Sequence, residues 1–502
     1  MTNAAHEETV QLVHSRWSSN DPTDRFVVRE PATGAELAHV QGAGAAEVDA
    51  AVRAAHAACH GDWRWRSPRE RGRLLRSAGA AVRVVAREIA ELESREMGKP
   101  VAQAAMDVEF LSSSLEFFGG LADALPGDVH DAGALWAMTT LEPYGVIGGI
   151  IPFNWPPLHT GAKAAPALAV GNTVVLKPPE QGPLSIMRCV EVLADALPDD
   201  VIHVVPGLGA STGHALASHP LVGKMSFTGS PATGTAVLKT LADNLTPALM
   251  ELGGKNPLIV FEDADLEAAL EGILDGAFYN QGEACTAASR ILVHRSVHDE
   301  IVDGLARLVP RLVVGDPASP RTAVGPLVTA AHQQRVIDYI ELGLIEGAEI
   351  IAQALIPSDE RFAGGYWVSP TVFGGVDPAM RIAREEIFGP VTVVIPFDND
   401  AEAIQIANDT DFGLVAGIYT RDTSRAFAVG RRLDAGMVFV NNYHRGFLGT
   451  AFGGTKHSGY GREHARETLS EFGRSKSFRM PSGNGTPARW PALDLMLEHA
   501  ES

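Results

Sequence analysis

From Tyr144 onward the chain repeats one pattern: a short β-branched run, a turn with glycine or proline, then a helical stretch. The strand candidates are 146–151, 173–176, 201–205 and 224–227, with helices near 158–170 and 184–194 among the segments between them. A second set follows, with strand candidates at 258–261, 291–294, 391–395, 414–419 and 437–440. A strand followed by a helix returns through a crossover, so such strands pair in parallel and the helices cover the sheet. The expected fold class is α/β, with two doubly wound units in succession. Their boundary is expected near 251–257, where Gly253, Gly254 and Pro257 cluster.

The flanks read differently. Residues 1–35 form a polar arm with little periodicity. Helical patterns occupy 46–58, 69–96 and 101–121, the second stopping at Met97-Gly98-Lys99-Pro100. The segment ALWAMTTL (134–141) is short, contains threonine and is bounded by glycine and proline, as a strand would be. The last stretch, from Pro481, begins with turn formers and reads as a linker with a short terminal helix.

Composition removes several function classes. Acidic residues outnumber basic ones 61 to 41, for a net charge of −20, which repels a phosphate backbone and argues against a nucleic-acid partner. No run of eighteen apolar residues exists; 146–176 is interrupted by Asn154, His159, Lys163 and four prolines, so no membrane span is expected. The first ten residues lack the basic and apolar regions of a secretory signal. The three cysteines (Cys59, Cys189, Cys285) are far apart and form no CxxC pair, which excludes a disulfide framework and points to a reducing cytoplasm. Metalloprotease, P-loop, nucleophile-elbow and EF-hand motifs are missing, so metal dependence has no support.

Cys285, in FYNQGEACTAASR, follows a helix that Asp263 or Asp265 can cap, and Gly282 lets the chain leave it. That places Cys285 on an accessible loop, whereas Cys59 and Cys189 fall inside helical patterns as packing residues. Position alone leaves Cys285 open between a small buried hydrophobe and a nucleophile, and a thiol of ordinary acidity needs a base or donors nearby. Glu251, in ALMELGGKNP, ends an apolar strand; desolvation there would raise its pKa towards general-base work, unless a salt bridge holds it. Asn154, in IIPFNWPP, is either a turn residue or an oxyanion donor. FTGSPATG (227–234) follows a strand and opens a helix, which suits phosphate but also any βα turn. Gly207-Leu-Gly209 lies after another strand, and neither segment matches GxGxxG. Lys177 and Glu180, in KPPE at a strand end, could grip ribose hydroxyls or simply be solvated.

Together these blocks closely resemble the aldehyde dehydrogenase superfamily. PFNWP, KPPE, FTGSPATG, MELGGKNP, QGEACTAASR, EEIFGPV and FGGTKHSGYGRE occur in the family's order and span roughly residues 30–480. The resemblance implies a Rossmann-like NAD-binding domain from 1–124 and 144–253, and a catalytic domain from 254–457. It also implies a small β oligomerisation element from 125–143 and 470–482, with 483–502 as a tail beyond the usual family end, and association into dimers or tetramers.

It implies that Cys285 attacks an aldehyde, that Asn154 and the Cys285 backbone N–H hold the oxyanion, and that Glu251 activates the water that hydrolyses the thioester. Lys177 and Glu180 would hold the adenosine ribose, and Glu386 the nicotinamide ribose with Phe388 beside it. The turn with Gly229, Ser230 and Gly234 would lie near the pyrophosphate. Ile151, Pro152, Gly207, Phe227 and Leu252 would complete the cofactor contacts. Glu180 would repel a 2′-phosphate, so NAD is expected over NADP. Glu251 favours water over coenzyme A as acyl acceptor. Phe153 stands where the family often has tryptophan, and Glu283 would add charge near the site's mouth. Phe153, Trp155, His159, Tyr279, Thr286, Tyr443, His444 and Phe452 would line the substrate tunnel, suggesting an aromatic or medium apolar aldehyde. His444 and Arg445 leave a semialdehyde open as an alternative. An NAD-independent thiol esterase and a non-catalytic protein on the same fold are the competing readings.

Overall fold

The computed structural model describes residues 11–443 and 447–500. Two open sheets carry it. The first has six strands in the spatial order Gly459–Tyr460, Ala248–Glu251, Val222–Thr228, Val146–Ile150, Thr173–Lys177, Ile202–Val204. All pairs are parallel except that of the outermost strand, where Glu251 lies opposite Gly459. Chain order runs outward in both directions from Val146–Ile150, so a topological switch point lies between it and Val222–Thr228. In open α/β sheets the crevice at the carboxyl ends of such strands is where ligands bind.

The second sheet has seven strands in the order Glu349–Gln353, Thr371–Gly374, Val391–Phe397, Ala288–His294, Asn256–Val260, Val415–Tyr419, Met437–Val440. Only Glu349–Gln353 is antiparallel to its neighbour. The doubly wound α/β class read from the sequence therefore holds for both units.

A third, three-stranded sheet joins distant segments. Gly473–Pro481 pairs antiparallel with Leu135–Pro143, which pairs with Val129–Asp131. The tail ends in a helix, Pro491–Ala500.

The helix Pro156–Val170 is the hub of the first unit, with fourteen of its fifteen residues buried. Alanine and glycine on every side make this possible. A Cβ on Gly161 would stand 3.0 Å from the Leu111 Cα of the neighbouring helix Val101–Leu121. That approach seats the helix against the sheet and aims its first turn at the site.

Two readings of the flanks are corrected. The polar arm contains strands: Arg25–Arg29 pairs antiparallel with Glu36–Gln41, and Leu12–Val13 adds in parallel. Phe26 and Val28 pack inward, but Val27 between them is also apolar and Arg25 and Arg29 flank them, so no apolar–polar alternation is visible. The stretch 69–96 is two helices, Pro68–Val84 and Ala86–Met97, broken at Val85, whose ψ is 13°. Three valines among residues 82–85 disfavour continued helix at that point. Among the described residues no helix is long and apolar enough to cross a membrane.

Candidate functional site

The site is assembled at the carboxyl ends of the first sheet and at the loop that feeds Ala288–His294 of the second. Ile150 and Lys177 end adjacent strands, and the Ile151 N–H donates to the Lys177 carbonyl at 3.0 Å. Asn154 follows four residues after that strand and precedes the hub helix.

Cys285 sits one short turn beyond the helix Leu266–Phe278, which Asp265 caps by accepting from the Ala268 N–H at 3.2 Å. The connecting residues Asn280 and Gln281 both adopt positive φ, 51° and 55°. The loop reading of Cys285 holds, but its accessibility does not: the residue is only 8% exposed. Burial pushes its thiol pKa up, and the carboxylates of Glu386 and Glu251 push it further in the same direction. The loop is cross-tied, with Asn256 Nδ2 donating to the Cys285 carbonyl at 2.8 Å and to that of Ala287 at 2.9 Å. Asn280 Nδ2 donates to the carbonyls of Asn154 (3.0 Å) and Glu283 (3.1 Å). Asn154 and the cysteine loop are thereby held by one side chain, and Asn154 Oδ1 has no partner.

Glu251 is 2% exposed and neither carboxylate oxygen has a hydrogen-bond partner. Burial raises its pKa well above the usual carboxylate range, and the neighbouring Glu463 carboxylate adds to the effect, while Lys163 opposes it. Lys163 reaches from the hub helix to Ser226 Oγ (3.1 Å), Thr228 Oγ1 (2.7 Å) and Glu463 Oε1 (3.2 Å). The strand-end salt bridge considered for Glu251 is therefore made by Glu463 instead. A Cβ on Gly453 would come within 2.8 Å of Glu251 Oε1, so that glycine is needed where it stands.

Two cavities flank these groups. A cleft of ≈ 580 Å³ opens between Ile150, Glu180, Gly209, Phe227, Thr233 and Val237. At its edge buried Lys177 donates to Glu180 Oε2 at 2.8 Å. Gly209 leaves open space there, the nearest atom to an added Cβ being Glu180 Oε1 at 3.9 Å. Gly229 permits the turn, because a Cβ would meet the Phe227 ring at 2.7 Å; Gly234 likewise faces Leu252 at 2.8 Å. Ser230 caps the helix Pro231–Ala242, its Oγ accepting from the Thr233 N–H at 3.3 Å. Gly207 turns the chain at φ 155°, packed against Thr212. Glu386 Oε1 accepts from the Gly254 N–H at 2.8 Å, and burial raises its pKa to about 7.

The second cavity, ≈ 140 Å³, is lined by Trp155, His159, Tyr279, Thr286 and Phe452, which the structure brings together. The structure adds Met106, Phe110 and Leu158, together with Asp107, Asp275 and His464. Helix Val101–Leu121 is apolar around most of its circumference, so no periodicity singles out Met106 or Phe110; the only signal for His464 was its place directly after the Gly-rich FGGTKHSGYGRE block.

Three expectations are corrected. Phe153 does not line this cavity; its ring packs edge-on against Phe388 at 5.7 Å and against His332 at 6.0 Å. The turn at Asn154 sends adjacent side chains to opposite sides. Tyr443 is buried behind the cavity wall, its hydroxyl donating to the Thr286 carbonyl at 2.8 Å. Glu283 adds no charge at a mouth: it is buried, accepts from the Val328 N–H at 3.0 Å, and burial raises its pKa to about 8. His444 and Arg445 lie outside the described residues. A larger surface cleft of ≈ 800 Å³, by Thr33, Arg87, Arg95 and Arg361, holds none of the candidate residues.

The model of the aldehyde dehydrogenase family matches residues 17–478. The chain belongs to the aldehyde dehydrogenase family. The aldehyde dehydrogenase citD of Monascus ruber is 47% identical over 481 residues, covering 96% of each chain. The betaine aldehyde dehydrogenase of Mesorhizobium japonicum is 40% identical, covering 94% of this chain and 97% of its own. Among solved structures, PnpE from Pseudomonas sp. WBC-3 is 38% identical with a TM-score of 0.90, covering 93% of this chain and 96% of its own. PnpE has also been solved in complex with nicotinamide adenine dinucleotide. Family membership accounts for the order in which the sequence blocks occur, and this aldehyde dehydrogenase keeps a cysteine, a buried carboxylate and an amide where those blocks meet.

Proposed function

We propose that this aldehyde dehydrogenase oxidises an aldehyde to the free carboxylic acid with NAD, through a covalent thioester on Cys285. The observation that carries the reading is a buried, unpartnered carboxylate, Glu251, close enough to the buried Cys285 thiol to raise its pKa. Such a pair has no structural reward, and a desolvated carboxylate is a strong proton acceptor.

NAD, when bound, supplies the hydride acceptor. The cleft by Glu180, Gly209 and Phe227 fits it: small residues leave room at a helix N-terminus, and a Lys–Glu pair stands at the edge. Glu386 and Phe388 would hold its nicotinamide end. Glu180 supports NAD over NADP, and a specificity constant equal or higher for NADP would remove that part of the reading.

Within the chain, Cys285 Sγ gives its proton to a water molecule that carries it to solvent, and the thiolate attacks the aldehyde carbon, giving a thiohemiacetal. The Asn154 amide and the Cys285 backbone N–H donate to the resulting oxyanion. Loss of hydride from that carbon leaves a thioester. Glu251 takes a proton from water, whose oxygen attacks the thioester carbon, and the acid departs as the Cys285 thiol re-forms. The buried state of both groups keeps bulk water from competing before the aldehyde binds. The aromatic lining supports an aromatic or medium apolar aldehyde. The small sheet built on Leu135–Pro143 and Gly473–Pro481 exposes Trp136, Phe478 and Met480, which supports self-association through it.

The test is an aldehyde panel followed by absorbance of reduced cofactor, with wild type and Cys285→Ala. Turnover that needs NAD and disappears in the variant is expected. Ester hydrolysis without NAD as the sole activity, or undiminished oxidation by Cys285→Ala, would overturn the reading. Acyl-coenzyme A as main product at saturating thiol would overturn the hydrolytic step.

A further inference from the structure

The ≈ 140 Å³ cavity contains two histidines without a hydrogen-bond partner among the described residues. His159 and His464 are each 3% exposed, both line the cavity, and all four of their ring nitrogens lack a hydrogen-bond partner. Thr286 Oγ1, in the same lining, is also unpartnered. A buried polar atom without a partner has lost its hydration with nothing in return, so such atoms concentrate where a ligand completes them.

The remaining wall carries the rings of Phe110, Trp155, Tyr279 and Phe452, beside Met106, Leu158 and the acidic residues Asp107 and Asp275. His464 packs at 4.8 Å from the Phe110 ring and at 4.9 Å from that of Phe452, while Trp155 stands 6.3 Å from His159. A space of about 150 Å³ holds one benzene ring, so a single ring fits within the ≈ 140 Å³ here.

We propose that this cavity takes a single-ring aromatic aldehyde carrying a hydroxyl group, and that His159 and His464 are the residues that select the hydroxyl. This rests on the dehydrogenase reading above and narrows its substrate class.

The charge state of the two rings points the same way. Burial holds His159 well below its usual range, with Lys163 and His464 adding to the effect. Burial lowers His464 to about 4, Glu463 opposing and Lys163 reinforcing. At neutral pH each imidazole is uncharged, with one donor and one acceptor nitrogen. A hydroxyl, itself donor and acceptor, matches that pair. Among the described residues a carboxylate finds no free cation here, because Lys163 is paired with Glu463 and Lys99 with Glu93 and Asp107. A quaternary ammonium would leave all four nitrogens unpaired.

The experiment measures kcat and KM with NAD for 3- and 4-hydroxybenzaldehyde, the two fluorobenzaldehydes of matched size, benzaldehyde, betaine aldehyde, succinic semialdehyde and hexanal. A neutral hydrogen bond contributes roughly 0.5–1.5 kcal/mol, or about two- to tenfold. One hydroxy isomer is expected to exceed its fluoro counterpart about tenfold in kcat/KM, mainly through KM. That ratio should fall to about one in His464→Leu and His159→Leu, and His464→Gln, whose amide still donates and accepts, should recover part of it. Equal constants for hydroxy and fluoro compounds overturn the inference, as does a preference for betaine aldehyde or succinic semialdehyde. Oxidation of hexanal alone also overturns it while leaving the dehydrogenase reading standing. Failure to oxidise any of the eight would overturn both.

Discussion

Asn280 Nδ2 donates to the main-chain carbonyls of Asn154 and Glu283, tying together two segments 126 residues apart in the chain. One amide thus sets the distance between the proposed oxyanion donor and the cysteine loop. Asn280 has φ 51°, a left-handed conformation that asparagine tolerates better than most residues. Asn280→Ala removes both bonds and leaves two buried carbonyls unpaired. A loss of about 1–3 kcal/mol is expected in denaturant unfolding, with kcat falling more than KM rises. An unchanged kcat would show that the loop is held by other means.

Glu251→Gln separates the two halves of the reaction. The amide cannot accept a proton, so steady-state turnover is expected to drop about 10²- to 10⁴-fold. The first turnover, which uses Cys285 and Asn154 but not Glu251, should persist as a rapid burst of reduced cofactor in stopped flow. Loss of the burst together with turnover would assign Glu251 to thiol activation instead.

Glu283 makes stability depend on pH. Its folded pKa, about 8, lies above the ordinary value of 4.5, so the native state binds the extra proton. Its contribution is fully present below about 4.5 and is lost as pH climbs through about 8. The slope is at most about 1.4 kcal/mol per pH unit for one proton. Glu283→Gln cannot ionise, and its melting temperature should decline less steeply between about pH 6 and 8.5. Parallel Tm–pH curves for the two proteins would contradict this.

Lys99 is fully buried between Glu93, at 2.5 Å, and Asp107. Lys99→Met leaves two buried carboxyls without their cation, for which a loss of about 3–5 kcal/mol is expected from the shift in urea midpoint. Because Asp107 also lines the aromatic cavity, KM for aldehyde should rise in any folded fraction. A double replacement that also made Glu93 and Asp107 neutral should recover part of the stability.

The strand–helix alternation by itself determined the α/β class, because β-branched runs between helical stretches have no other economical pairing. The family resemblance of the ordered blocks pointed to Cys285, Glu251 and Asn154, each of which its own local sequence left open between a packing and a chemical role. Sequence could not reveal that Phe153 packs on Phe388 and His332 while Trp155, two residues on, lines the aromatic cavity. Nor could it show that Glu283 is buried or that Tyr443 stands behind a wall, since burial depends on which distant segment arrives. His464 reaches the cavity because Gly459–Tyr460 pairs with Ala248–Glu251, a register between segments some 200 residues apart. Long-range pairing and close packing decided those positions, and neither leaves a local periodicity to read.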